Sequence, residues 1–344
     1  MERGLLKKED LGRLLAAAQE GGRKVFAPVE GGTGPASGTG PAFAEVQAGR
    51  GVVLEYGNPA LSAKGIFFPQ REALCRFHGE RTAEASLPQT PLLVFGARPC
   101  DARALTFLDK VFGDRLFRDP YYLARREKAL VIGLACGHPG ETCLCTSFGG
   151  SPAGRQGSDI LAFDLGEELL FEAATDKGRE LLGEQASLFR EAGEAELEAR
   201  RGIEEKAESA LGEHLLRGLE ELKEKLDRSF EDPQWERLTR TCLGCGACTY
   251  LCPTCHCFDI TDEEREGLRL RSWDSCQYPL FTLHASGHNP RVNKKQRMRQ
   301  RIMHKFSYTV ERSGEVFCVG CGRCIRACPV NLDMREILAA LARK

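Results

Sequence analysis

The stretch "CLGCGACTYLCPTCHCF" (242–258) places six cysteines in seventeen positions, with two glycines and a proline among them. Cys242, Cys245, Cys248 and Cys252 spell C-x2-C-x2-C-x3-C-P. Cys318, Cys321, Cys324 and Cys328, in "CVGCGRCIRACPV" (318–330), spell the same string, again closed by a proline, Pro329. This spacing is the bacterial ferredoxin signature for [4Fe–4S] clusters. A short loop wraps three corners of a cubane, and thiolates suit iron. Gly244, Gly246, Gly320 and Gly322 let backbone amides approach the sulfides, where N–H donors help set the reduction potential. Zinc also takes four cysteines, but usually from two separated C-x2-C pairs rather than three per loop closed by C-P. In two-cluster proteins the fourth cysteine of each run serves the other cluster. One cluster is therefore expected on Cys242, Cys245, Cys248 and Cys328, the other on Cys318, Cys321, Cys324 and Cys252.

About 65 residues separate the motifs, more than a compact hairpin-type ferredoxin uses. Within that gap "DEEREGLRLRSW" (262–273) and "RVNKKQRMRQRIMHKFSYTVER" (291–312) have helix-forming composition, so a helical dicluster domain is predicted. The segment 289–305 is locally basic. Its expected role is a solvated helix, with docking to an acidic partner surface as the functional alternative.

The remaining composition narrows the class. A chain of 344 residues implies two domains, and 42% apolar content is that of a globular protein. A formal net charge of -1 argues against a general nucleic-acid surface. No run of about 18 apolar residues is present to span a bilayer. "MERGLLKKEDLGRLLAAAQEGG" (1–22) scatters acids among its bases and reads as an amphipathic first helix rather than a signal peptide. A cytoplasmic protein is expected, and in a reducing compartment sixteen cysteines call for metal or redox chemistry before disulfides.

The first 175 residues read as a mixed α/β domain. "KVFAPV", "GVVLEY", "PLLVFG", "ALVIGLA" and "DILAFDL" are short apolar runs suited to buried strands. "PQREALCRF" (69–77) and "DARALTFLDKVFG" (101–113) have helical spacing, punctuated by Pro69 and Gly113. The glycine-rich "GGTGPASGTGP" (31–41) reads as a surface loop, since no strand–loop–helix signature makes it a phosphate cradle. Residues 176–234 form a charged helical connector whose Glu and Lys/Arg alternate at spacings of three and four. Residues 235–344 are the ferredoxin part. The fold class is thus α+β: an N-terminal mixed α/β domain followed by an α-helical dicluster domain.

A third set of thiols lies in the α/β domain. Cys100 follows the strand "LLVFG" and opens a helix; Cys136 follows "ALVIGLA", with Cys143 and Cys145 in the same loop. If the two strands are parallel, these thiols emerge together at the carboxyl edge, where α/β sheets place their sites. A third [4Fe–4S] cluster on Cys100, Cys136, Cys143 and Cys145 is expected, against simple packing thiols. Asp101 either replaces a thiol or caps the helix, and capping is the expectation. Cys75 reads as packing on an apolar helix stripe. Cys255, Cys257 and Cys276 are either structural thiols near the clusters or ligands of a further metal centre completed by His256 or a partner.

Several stretches together resemble one family: "FFPQREAL", "FGARPCDARAL", the C-x6-C-x-C loop, "CLGCGACTYLCPTCHCFDI", "RSWDSCQYPLFTLHASGHNPR" and "CVGCGRCIRACPVNLDMREIL". The chain is similar to the iron–sulfur beta subunits of cytoplasmic sulfhydrogenases and to the corresponding iron–sulfur component of anaerobic sulfite reductase. Similar subunits accompany flavin oxidoreductases coupled to heterodisulfide reductase. The resemblance implies a helical-ferredoxin domain relaying electrons between a flavin subunit that handles NAD(P)H and a catalytic subunit of hydrogenase, sulfite reductase or heterodisulfide reductase type. The contrasting reading is a catalytic subunit whose α/β domain binds flavin or deazaflavin itself, for which no dinucleotide fingerprint is present. A sensor protein is a third class, which a single labile cluster would suit better than a ferredoxin pair.

Overall fold

The computed structural model describes residues 1–31, 40–78, 82–211 and 221–343. The expected glycine-rich loop lies mostly outside them, at 32–39. The chain forms two units. One comprises Met1–Phe68, Leu87–Gly212 and Val319–Cys321; the other comprises Pro69–Ser86, Glu213–Cys318 and Gly322–Lys344. The strands in chain order begin with β1 (Arg3–Lys7), β2 (Lys24–Val29), β3 (Ala42–Glu45), β4 (Arg71–His78), β5 (Thr82–Ala85) and β6 (Leu92–Ala97). They continue with β7 (Ala129–Leu134), β8 (Ile160–Asp164), β9 (Glu168–Ala173), β10 (Phe258–Glu263) and β11 (Leu268–Trp273). Helices and two sheets make the protein α+β.

The first unit is built on a sheet of order β1-β9-β8-β7-β6-β2-β3. Its centre, β2, β6, β7 and β8, is parallel, and antiparallel strands finish both edges. Every residue of β6 and β7 is buried, as central parallel strands covered on two faces must be. One face holds Leu169 and Phe171 with Leu14 and Leu15 of the helix Leu11–Glu20 and Leu181 and Leu182 of the helix Asp176–Glu184. The other holds Leu161, Phe163 and Leu170, so successive residues of β9 point to opposite layers. Helices Pro99–Phe112 and Pro120–Lys128 carry the crossover from β6 to β7. The first starts on a proline that needs no N–H partner, and the second is capped by Asp119, which accepts from the amides of Tyr121 and Tyr122.

Two local expectations are corrected here. The N-terminal segment is not helical from its start: Arg3–Lys7 pairs antiparallel with β9, and the helix begins at Leu11. "GVVLEY" makes only a single bridge, Val52 to Val29, while Val52, Leu54 and Tyr56 pack against the core. Its apolar character reflects burial of a loop rather than a ladder.

The second unit contains an antiparallel sheet of order β10-β11-β4-β5. Helices were expected over 69–77 and 262–273; the first holds β4, and the second holds the end of β10, a turn and β11. The alternation in "LRLRSW" is period two, and pairing in the sheet overrides local helix propensity. Register fixes one consequence: Glu72 stands opposite Arg271 at 2.5 Å, with side chains only 4% and 3% exposed, so each charge depends on the other. Cys75 accordingly lies on a strand opposite Arg269, not on a helix stripe.

The basic segment is helical over Lys294–Met303, but one face of that helix is buried rather than solvated. Helix Lys294–Met303 continues through a π turn at His304–Tyr308 into Thr309–Ser313. Arg297, Arg301 and Lys305, four residues apart, are buried with Met298, Ile302 and Phe306. Among the described residues no helix is long and apolar enough to cross a membrane.

Candidate metal centres

The two cysteine motifs repeat in backbone as well as in sequence. Gly244 and Gly246 have φ of +69° and +77°, and Gly320 and Gly322 have +63° and +70°. A one-turn helix follows each, Ala247–Tyr250 and Arg323–Arg326. At Gly246 a Cβ would lie 2.8 Å from the Tyr278 ring in a conformation that L-residues avoid, so glycine is required for the loop to close.

A cavity of about 530 Å³, counting its mouth, is lined by Cys242, Cys245, Cys248 and Cys328. Cys324 also reaches its wall, and the remainder is largely apolar, including Met298, Ile302, Leu332 and Ile337. Backbone amides already point at two of the sulfurs: Gly244 N donates to Cys242 Sγ at 3.4 Å and Leu332 N to Cys328 Sγ at 3.2 Å. Burial pushes the Cys248 thiol up to about 11, although Arg301 beside it acts in the opposite sense. Four thiols around one apolar, amide-lined hollow fit a cubane, whose iron holds cysteine as thiolate where burial alone would not. The hollow is lined by the four cysteines expected of the first cluster and also by Cys324, which was expected on the second.

Around the second set, Cys252 is buried and hydrogen-bonds with Thr254 Oγ1 (3.3 Å) and with the Cys255 thiol. Lys305 Nζ donates to Thr254 Oγ1 (2.7 Å) and to Phe317 O (2.9 Å). Burial alone would discharge Lys305, but Cys252, Cys255 and Cys318 outweigh it and hold the ammonium protonated. Arg301 is set likewise, against burial, by Cys248, Cys255, Cys252 and Cys324. Its guanidinium donates to Cys248 O at 2.7 Å and to Cys255 Sγ at 3.3 Å. Sequence reading missed both cations as site residues; the four-residue spacing of Arg297, Arg301 and Lys305 was the available signal. Cys321 belongs with the first unit, where its carbonyl accepts from Asn58 Nδ2 at 2.5 Å and that of Gly320 from Leu144 N at 2.8 Å.

In the first unit β6 and β7 are parallel, so the condition for gathering the third set is met. Cys100 stands on the first turn of the helix Pro99–Phe112, and Cys136 lies two residues beyond β7. Burial, then Cys143 and Cys136, push the Cys145 thiol up to about 12. Cys100 and Cys136 both bear electrostatically on Tyr56, and Cys100 and Cys145 line one cavity with Arg103, Arg155 and Arg200. Arg98, another residue that sequence reading missed, ties this edge together. Its buried guanidinium stacks 3.9 Å over Tyr56 and donates to the carbonyls of Ala135 (2.6 Å), Gly57 (3.1 Å) and Leu134 (3.3 Å). Asp101 is not the cap: Arg98 occupies that position, and Asp101 sits buried in the first turn, where its charge suits the helix dipole.

The three remaining thiols pair with neighbours. Cys255 hydrogen-bonds with Cys252, and Cys257 with Cys276. His256 Nδ1 lies 3.1 Å from Thr254 O, and its ring meets that of His304 at 5.5 Å. Among the described residues no three His, Cys, Asp or Glu side chains converge as a single ion requires. A cubane spreads its thiolates over four separate irons, so that convergence is not its signature.

A family model described as a 4Fe-4S dicluster domain matches residues 241–332. Sulfhydrogenase 2 subunit beta of Pyrococcus furiosus is 33% identical over 299 residues, covering 86% of this chain and 87% of that protein.

Proposed function

The chain belongs to the family of sulfhydrogenase beta subunits and is an iron–sulfur electron-transfer subunit; from that premise we propose that it relays single electrons between a catalytic redox subunit and a flavin-containing NAD(P)H-oxidoreductase subunit. The observation that carries the reading is the apolar hollow in which Cys242, Cys245 and Cys248 meet Cys328. In our assignment these four hold one [4Fe–4S] cluster and Cys318, Cys321, Cys324 and Cys252 hold the second. The dicluster match supports a pair of such clusters. A third, on Cys100, Cys136, Cys143 and Cys145, is supported by the parallel pairing of β6 with β7 and by the cavity that Cys100 and Cys145 line.

Bound clusters supply one-electron redox chemistry. The chain's own residues hold the thiolates in place, offer amides to sulfur and line the first hollow with the apolar side chains of Met298, Ile302 and Ile337. NAD(P)H delivers hydride, so a flavin must divide the pair of electrons before clusters carry them singly. The isolated, flavin-free chain is therefore expected to be bleached by dithionite yet to remain oxidised with NADH or NADPH. Rapid reduction by either nucleotide would replace the relay with a catalytic, flavin- or deazaflavin-binding role.

Iron content tests the cluster number. Anaerobically purified protein should hold about twelve irons per chain, not about eight. Cys136→Ala should remove about four without releasing the ferredoxin pair; an unchanged content would end the third-cluster assignment.

A further inference from the structure

We propose that the outer wall of the first-motif hollow is the docking face for a redox protein whose own centre lies beneath an apolar surface rimmed by carboxylates. The proposal rests on the reading of Cys242, Cys245, Cys248 and Cys328 as cluster ligands, and adds where electrons cross to a partner. Of the sixteen cysteines Cys245 alone is exposed, and together with Leu243 it lines the hollow. A cluster held there comes nearest to solvent at these two residues. Electron transfer weakens steeply with distance, so a partner seated on this wall exchanges electrons fastest.

Three segments meet around Cys245. Arg297, buried, ties them together: its guanidinium donates to the carbonyls of Arg291 (3.1 Å) and Val292 (2.7 Å), and its own carbonyl accepts from Gln277 Nε2 at 3.0 Å. Gly244 packs on the same place, since a Cβ there would stand 3.4 Å from Gln277 O. Lys294 Nζ donates to Arg240 O (2.6 Å), and Asn289 Nδ2 to Pro279 O (2.7 Å). Leu243, Leu280 and Val292, one from each segment, are 67%, 74% and 69% exposed. Single exposed apolar residues are ordinary; three on segments tied together beside the one exposed thiol mark a contact surface.

The charge around them has one sign. From Ser275 to Val310 there is no Asp or Glu, against seven Lys and Arg. Arg297, Arg301 and Lys305 are buried, but Lys294 is exposed, as is Arg240 beside the first motif. Lys294 and Lys295 stand in the first turn of the helix Lys294–Met303, which holds no acid, although the helix dipole favours acids there. Lys295 reaches Glu236 only at 3.5 Å and in solvent, where an ion pair contributes little. Two lysines placed against the dipole, with so little return inside the chain, fit an outward role. An apolar centre with a basic rim is complementary to an apolar centre with an acidic one.

The test uses the full, cluster-loaded chain, with photoreduced flavodoxin, a small acidic flavoprotein, as the probe. Stopped-flow absorbance follows reduction of the clusters. The second-order rate should fall about tenfold or more between roughly 0.05 M and 0.5 M salt. Lys294→Glu should lower it about tenfold at low salt and little at high salt, and Leu280→Ser about fivefold at both. Iron content, unfolding midpoint and the rate with methyl viologen radical should stay at wild-type values in both variants, because neither side chain holds the cluster. A flavodoxin rate indifferent to salt and to both substitutions overturns the docking face. Equal slowing with the small reductant also overturns it, by placing these residues with the cluster. A dimer of the chain that Leu280→Ser dissociates would give the face to a second copy. Cosedimentation with anionic phospholipid vesicles that Lys294→Glu abolishes would give it to a lipid surface; either result overturns the proposal. Wild-type protein holding no ferredoxin-type iron would sink the cluster reading and the docking face together, whereas salt-indifferent transfer to full clusters sinks the docking face alone.

Discussion

Cys328→Ala should cost the protein about four irons, and the cysteines that lose protection should be Cys242, Cys245 and Cys248, far away in sequence. The argument is spatial. Cys328 lies on the same hollow as those three thiols, and Leu332 N donates to its sulfur. Without it, three thiolates remain on a cluster that needs four, and the one other thiol on the cavity wall, Cys324, is assigned to the second cluster. Alkylation of the native protein, with the label located residue by residue by fragmentation of the tryptic peptide 241–265, reads the outcome: Cys242, Cys245 and Cys248 should become labelled, while Cys318, Cys321 and Cys324 stay shielded. Cys252→Ala should give the mirror image, exposing the second motif and sparing the first. Labelling confined to the motif that carries the substitution would contradict crossed ligation and return each cluster to its own loop. Folding is linked to this exchange. In this assignment each loop supplies a ligand to the other's cluster, and metal binding is itself folding free energy, so either variant should also unfold at lower denaturant concentration.

The legibility of this protein follows how local its constraints are. The ferredoxin strings were readable because the cubane dictates ligand spacing over eleven residues, and both strings fold to the same left-handed glycines. The parallel centre of the first sheet was readable because strands covered on both faces become continuous apolar runs, as β6 and β7 are. The strands β4, β10 and β11 were not. "REALCRFH" carries helix-favouring residues and becomes β4 by pairing with β11 nearly 200 positions away, closed by the buried Glu72–Arg271 pair, while "DEEREG" ends β10 and turns the hairpin into β11. A second failure has the same origin. Composition marks 289–305 as basic and hence exposed, yet composition cannot show that buried thiols face that helix and make its cations tolerable. Arg98 was hidden similarly, since its partners are carbonyls of two separate segments, 54–57 and 134–135.

Arg301→Met should make the reduction potential of the first-motif cluster more negative by on the order of 100 mV. Arg301 lines the hollow shared by Cys242, Cys245, Cys248 and Cys328 and is only 2% exposed. Reduction adds one negative charge to the cluster, and a fixed cation nearby stabilises that added charge. At an effective dielectric of ~20 a unit charge several ångströms away contributes a few kcal/mol, and about 1.4 kcal/mol corresponds to ~59 mV for one electron. Removing the cation therefore lowers the potential; the sign does not depend on the distance chosen. Methionine is apolar and long enough to fill the space beside Met298 and Ile302, so the shift should report charge rather than an opened cavity. The carbonyl of Cys248 loses its donor as well, which should cost about 1–3 kcal/mol of stability if no water replaces it. Arg301→Lys separates the two effects. It keeps the charge but not the fork that serves Cys248 O and Cys255 Sγ together, so most of the potential should return while part of the stability loss persists. Redox titration followed by the cluster's own spectrum measures the first quantity and denaturant unfolding the second. A methionine variant titrating at the wild-type potential would show that Arg301 serves the fold alone, leaving Lys305 as the buried cation to examine in its place.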